Sequence, residues 1–216
     1  MRGMCRMWSA CLVATLLMRL VDPAFGHPRG VMGRLGGALM ARGNAEQERW
    51  AIEHAALRSS ERVLVIGHGP GIGLGLAATA VGPTGHVVGV DPAEAMREMA
   101  ARRCADEIAK GLVELHARGA ESTGCADASI DVALSVNNIM LWDREAGFTA
   151  LARVLRPGGR LVVTVHRHVL DVSPEQLRTH AEQSGFEVVT LTTRARRGNS
   201  PAVELLAKVA TPARSP

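Results

Sequence analysis

The chain contains no tyrosine and only three phenylalanines and three tryptophans in 216 residues, so aliphatic side chains must fill any core. Few rings remain to stack on bases. Lysine is scarce as well, with Lys110 and Lys208 alone, and the formal charge of +4 rests on arginines scattered along the chain rather than gathered in a stripe. That pattern describes a solvated surface and argues against a nucleic-acid partner. Cys5, Cys11, Cys104 and Cys125 have no paired metal-ligand spacing, so no metal site is expected and the thiols are read as reduced and inert. No apolar run approaches the roughly twenty residues that would cross a bilayer. The longest N-terminal one, residues 8–18, follows Arg2 and Arg6 and stops at Arg19. It has the charged and apolar parts of a signal peptide without a clear small-residue cleavage site. The expectation is a short amphipathic helix or a true start at Met18, in a cytoplasmic protein.

At this length the chain suits one well-buried α/β domain. Strand-like and helix-like segments alternate: strands at 62–66, 86–90, 112–116, 130–136 and 160–166, with helices from Gly71, from Pro92, over 144–155 and over 174–184. Such alternation is the mark of a parallel, doubly wound sheet. After Gly185, runs at 186–193 and 202–209 flank Arg196-Arg197-Gly198-Asn199-Ser200-Pro201 and predict a closing antiparallel hairpin. Asn44 with Gln47 has the spacing of a capping box and opens an amphipathic helix through Trp50, Ile52 and Leu57. The predicted organisation is an N-terminal extension over 1–43, whose glycine- and arginine-rich stretch from Gly26 to Gly43 could serve as a lid, a domain over 44–210, and a tail over 211–216.

The most informative stretch begins at Val63, where an apolar strand runs into Gly67-His68-Gly69-Pro70-Gly71, then a helix, then a second strand ending at Asp91. Glycines at alternate places let the backbone turn tightly and approach a ligand, and the following helix presents unpaired N–H groups to it. Asp91 falls where a carboxylate accepts both hydroxyls of a ribose. Its competing role is to cap the next helix, which Pro92 can enter. The register excludes a dinucleotide fingerprint, whose third small residue would be Ile72, and no Gly-Lys-Ser/Thr follows to hold a polyphosphate.

The run resembles the G-x-G-x-G motif of class I S-adenosylmethionine-dependent methyltransferases. Ser129-Ile130-Asp131-Val132-Ala133-Leu134-Ser135 is similar to that family's fourth strand, and the segment from Leu151 through Pro157-Gly158-Gly159 to Val163 to its helix, turn and fifth strand. The resemblance covers about a hundred residues and is nearest the small-molecule group that includes the ubiquinone and menaquinone C-methyltransferases. It implies a Rossmann-like, mostly parallel seven-stranded sheet with helices on both faces, S-adenosylmethionine as cofactor, and methyl transfer to an O, N or C atom of a small acceptor. The alternative is a non-methylating protein of this fold, a cyclase or regulatory partner that keeps the cofactor as a structural element. An RNA methyltransferase is disfavoured, because Asn137-Asn138-Ile139-Met140 lacks the Asn/Asp-Pro-Pro-aromatic tetrad.

Carried over residue by residue, the resemblance assigns Gly67, Gly69, Gly71, Asp91, the backbone N–H of Ala120 and Asn137 to the cofactor. Two positions depart from the family's pattern: Val65 stands where an acidic residue usually serves the methionyl ammonium, and Gly119 where one usually faces the adenine amino group, with Glu121 nearby. Asn137 or Asn138 could contact that ammonium. His166 or His168, past the fifth strand, could act as general base. Met140 and Trp142 follow the fourth strand and are candidates for capping the pocket.

Overall fold

The computed structural model describes residues 44–196 and 199–210. The expected N-terminal helix, the lid, the tip of the hairpin and the tail lie outside them. The elements are α1 (residues 44–55), β1 (Arg62–Ile66), α2 (Ile72–Val81), β2 (His86–Val90), α3 (Glu94–Arg103), α4 (Ala105–Ala109), β3 (Val113–His116), β4 (Ile130–Val136), α5 (Arg144–Val154), β5 (Leu155–His166), α6 (Pro174–Gln183), β6 (Phe186–Arg196) and β7 (Asn199–Val209). Single 3₁₀ turns occupy Ala120–Ser122 and Ile139–Leu141.

One seven-stranded sheet has the order β3-β2-β1-β4-β5-β7-β6. Strands β1 to β5 run parallel and β7 lies antiparallel between β5 and β6. The central strands are apolar on both faces, and every residue of β4 is buried, as expected where helices cover a parallel sheet from both sides. One apolar layer gathers Phe148, Leu151, Leu177 and Phe186 beneath α5 and α6. The other joins Ala51 and Ala55 of α1, Leu74 and Ala77 of α2, and Ala100 of α3. Small residues at these helix contacts let the helices lie close on the sheet. With so few rings available, Phe148 meets both Trp142 and Phe186 edge-on at 6.0 and 6.1 Å.

The chain leaves β1 towards β2 and β3, then crosses back to place β4 on the other side of β1, so a crevice opens beyond the carboxyl ends of those two strands. Local chemistry fixes the elements around it. Ser173 and Gln176 form a capping box at α6 with Pro174 in the first turn, and the Asp143 carboxylate accepts from the Ala146 N–H at 3.2 Å to start α5.

Several boundaries differ from expectation. Leu155 pairs with Ile130 before Pro157-Gly158-Gly159 leaves the ladder, which resumes at Arg160 opposite Val132; β5 therefore begins five residues before the predicted 160. Gly158, at φ 74°, makes that excursion. Helix α3 starts at Glu94 because Ala93 is still extended. The short α4 was not expected. The capping box read at Asn44 and Gln47 is not formed: residue 44 is already helical, and the wholly buried Gln47 side chain donates to Thr164 Oγ1 of β5 at 2.9 Å.

Candidate functional site

A cavity occupies the crevice, lined by the glycine loop, the β2–α3 turn, the turn at Ala120, the end of β4 and the exposed face of α1. Of the residues singled out from sequence, Gly67, Gly69, Asp91, Ala120 and Asn137 line it, whereas Gly71, His166 and His168 do not.

The loop between β1 and α2 turns through three left-handed glycines, Gly67, Gly69 and Gly71, at φ 57°, 52° and 88°. Their surroundings differ. A Cβ on Gly67 would lie 2.7 Å from the Asn138 side chain, and one on Gly71 would lie 2.9 Å from the Ala100 backbone. A Cβ on Gly69 would meet nothing within 4 Å. Gly67 and Gly71 are thus required by packing, and Gly69 keeps space open.

Asp91 is 6% exposed, and its carboxylate ties the site together. Oδ2 accepts from the Gly69 N–H and Oδ1 from the Ala93 N–H, each at 2.9 Å. It does not cap α3, whose first residue follows Ala93; it braces the loop against the turn ahead of that helix. Arg97 holds the same turn from below, donating to the Asp91 and Pro92 carbonyls at 2.8 Å.

The two asparagines after β4 are already committed. Asn138 Nδ2 donates to the Ile66 carbonyl at 2.6 Å, while Oδ1 accepts from Ser135 Oγ and Trp142 Nε1, both at 2.9 Å. It clips the ends of β1 and β4 together and orients Trp142. Asn137, left-handed at φ 53°, turns its amide towards α1: Nδ2 donates to Asn44 Oδ1 at 2.8 Å and Gln47 Oε1 at 2.9 Å, and Oδ1 accepts from the His166 N–H at 2.8 Å. Gln47 Nε2 also donates to Asn137 Oδ1, at 3.4 Å, so each amide oxygen already takes two protein donors and neither side chain offers a spare acceptor to an ammonium group.

His166 Nδ1 lies 3.0 Å from Arg196 Nη1. Because a guanidinium only donates, Nδ1 must accept and the ring proton sits on Nε2. Burial, Arg196 and His168 all hold its pKa below the ordinary histidine value. This contact makes His166 a neutral anchor for the hairpin, with Nδ1 engaged by Arg196. The His168 ring lies beside it, 5.4 Å centroid to centroid, and outside the cavity. His68, in the loop, donates from Nδ1 to the Gly69 carbonyl at 2.8 Å, and burial depresses its pKa, so it too is neutral.

Among the described residues the cavity's charged groups are all acidic: Glu48, Asp91 and Glu121, with no lysine or arginine in the lining. Glu121 Oε1 accepts from the Asp143 N–H at 2.9 Å. Of Asn44 and Glu48, one turn apart on α1, Glu48 carries no motif and Asn44 only the spacing of a helix cap; the packing of α1 brings them here. Leu141, 64% exposed, and Trp142 form an apolar rim.

The described lining, acidic and partly apolar beside an open glycine loop, suits a ligand of net positive charge better than one held by its phosphates. The seven-stranded sheet with β7 inserted antiparallel is the arrangement of class I methyltransferases, and residues 63–159 match the methyltransferase domain family. The chain carries a domain of the S-adenosylmethionine-dependent class, and S-adenosylmethionine is its cofactor. It is 29% identical over 165 residues to the uncharacterized methyltransferase YdaC of Bacillus subtilis, across 73% of this chain and 88% of that protein. It is 33% identical over 119 residues to the ubiquinone/menaquinone biosynthesis C-methyltransferase UbiE of Pseudomonas putida F1, covering 54% of this chain but only 46% of UbiE. The [4+2]-cyclase SpnF shares the fold at 16% identity, with a TM-score of 0.65 over 77% of this chain and 81% of that one.

Proposed function

We propose that residues 44–210 form a methyltransferase domain acting on a small-molecule acceptor in the cytoplasm. The observation that carries the choice of acceptor is the described part of the cavity lining, in which carboxylates and an apolar rim stand where a polyanion would need cations. Asp91 receives the ribose hydroxyls on the lone pairs its two backbone donors leave free. The Gly67–Gly69 backbone approaches the cofactor where Gly69 keeps space open, and the Ala120 N–H faces the adenine edge. Bound S-adenosylmethionine supplies an electrophilic methyl group on a sulfonium. Trp142, held by Asn138, and Leu141 shape the acceptor's entry and exclude water.

Holding the acceptor against the methyl group supplies the rate by proximity, and no histidine at the end of β5 is asked to move a proton. The neutral, Arg196-bound His166 supports that reading. The test supplies radiolabelled S-adenosylmethionine with separated small-molecule, RNA and protein fractions. Label in the small-molecule fraction, with S-adenosylhomocysteine formed in equal amount, is expected. Label confined to RNA would overturn the acceptor class. Binding without any S-adenosylhomocysteine would favour the non-methylating alternative, for which the shared fold of the cyclase leaves room.

A further inference from the structure

Three carboxylates face the cavity, and two have their work. Asp91 accepts from Gly69 and Ala93, and Glu121 accepts from Asp143. Glu48 makes no hydrogen bond or ion pair among the described residues, although its carboxylate is half-buried against Gly73 in the first turn of α2. Desolvation at this wall raises its pKa to about 8, with no charge among the described residues offsetting it. A carboxylate held without a partner at a ligand cavity is costly unless a ligand completes it.

Position narrows what that ligand group is. Ala120 and Trp142 both pack around Gly147, and Glu121 bonds Asp143 next to Trp142. Asn44 and Glu48 come from α1, and Asn137, which bonds Asn44, sits with them at the end of β4. The groups that sequence reasoning offered for a cationic ammonium are out of play. Val65 is apolar and 3% exposed, and the Asn137 and Asn138 amides are spent on protein partners.

We propose that Glu48, reaching in from α1, is the anionic partner of the ammonium on the cofactor's amino-acid end and takes over the charge missing at Val65. The assignment rests on S-adenosylmethionine binding as proposed above. It makes α1, which precedes the glycine motif, part of the cofactor site. Gly73 belongs to the same arrangement, because any side chain there would displace the carboxylate.

Calorimetry with three probes separates this role from a structural one. S-adenosylmethionine and S-adenosylhomocysteine both carry the ammonium; 5′-methylthioadenosine has the same nucleoside and no amino-acid end. Glu48→Gln, which keeps shape and removes charge, should weaken the first two by about ten- to a hundredfold and leave methylthioadenosine within twofold. Equal weakening of all three would make Glu48 a structural support, and no change in any would exclude it from the site; either overturns the proposal. Weakening of S-adenosylmethionine alone would move Glu48 to the sulfonium and overturn it as stated. Failure of the unaltered protein to bind S-adenosylmethionine would instead remove the reading on which the proposal stands.

Discussion

Arg196 donates to His166 Nδ1 across 3.0 Å from the far end of β6, and the same guanidinium grips Glu46 through Nε and Nη2 at 3.0 and 2.7 Å. Its side chain is 1% exposed, so the charge is buried and paired. Removing one member of such a pair costs about 3–5 kcal/mol where both are buried. Glu46 is half exposed, which places Arg196→Ala nearer about 2 kcal/mol, measured by urea unfolding. Stability within about 0.5 kcal/mol of the unaltered protein would show that the network contributes nothing net.

The same contact predicts what His166 does not do. His166→Ala should keep methyl transfer within about threefold once an acceptor is found, where loss of a general base costs about a hundredfold or more. A loss of that size, with cofactor affinity intact, would restore the base.

Asp91 braces two backbone segments as well as facing the ligand. Asp91→Ala should therefore lower cofactor affinity by about 1.5–3 kcal/mol and unfolding free energy by about 1–2 kcal/mol together. An effect on stability alone, by calorimetry beside thermal unfolding, would confine the carboxylate to bracing.

The glycine loop offers a paired comparison. Both Gly67→Ala and Gly69→Ala incur about 1–2 kcal/mol of left-handed strain. Only the first adds a clash, with Asn138 at 2.7 Å. Gly67→Ala should be the less stable protein, while Gly69→Ala folds and loses cofactor affinity because its methyl enters the open loop. Equal melting points would show that Asn138 yields.

Stability should respond to pH on two sides. Glu46, lowered to about 2 by Arg196 and Arg194, favours the fold above pH 4.5 and that contribution is lost as pH falls towards 2. Glu48, raised to about 8, has the opposite sign: its protonated form suits the ligand-free fold, and stability falls as pH rises from 4.5 to 8. Glu48→Gln should flatten the decline between pH 6 and 8 in melting curves without cofactor. An unchanged slope would show that Glu48 ionises freely.

Local signals carried much of this to the reader of the sequence. Strands β1, β2 and β4 fall where apolar runs predict them, because each is buried on both faces and bounded by turn residues. The glycine loop and Asp91 are legible for the same reason: spacing along the chain sets their geometry. Glu48 and Asn44 are not, since only the docking of α1 on the sheet brings them to the cavity. The Asn44/Gln47 spacing suggested a cap, yet Gln47 reaches a partner 117 residues away. His166 looked available because the sequence cannot show that a hairpin returns to place Arg196 against it.

Helix α1 is fastened along its length. Glu46 and Gln47 bond the hairpin and β5, and Arg160 takes the Ala55 and Ala56 carbonyls at 2.9 and 3.3 Å while pairing with Glu61. It cannot swing outward without parting a buried polar bracket, so this wall is held against the sheet. Among the described lining residues the most exposed large apolar side chain is Leu141, in the 3₁₀ turn at Ile139–Leu141 that the buried Ile139 anchors. Bulk added at position 141, on the exposed rim of a fixed wall, is expected to slow capture and escape of the ligand alike and to leave the equilibrium between them where it was.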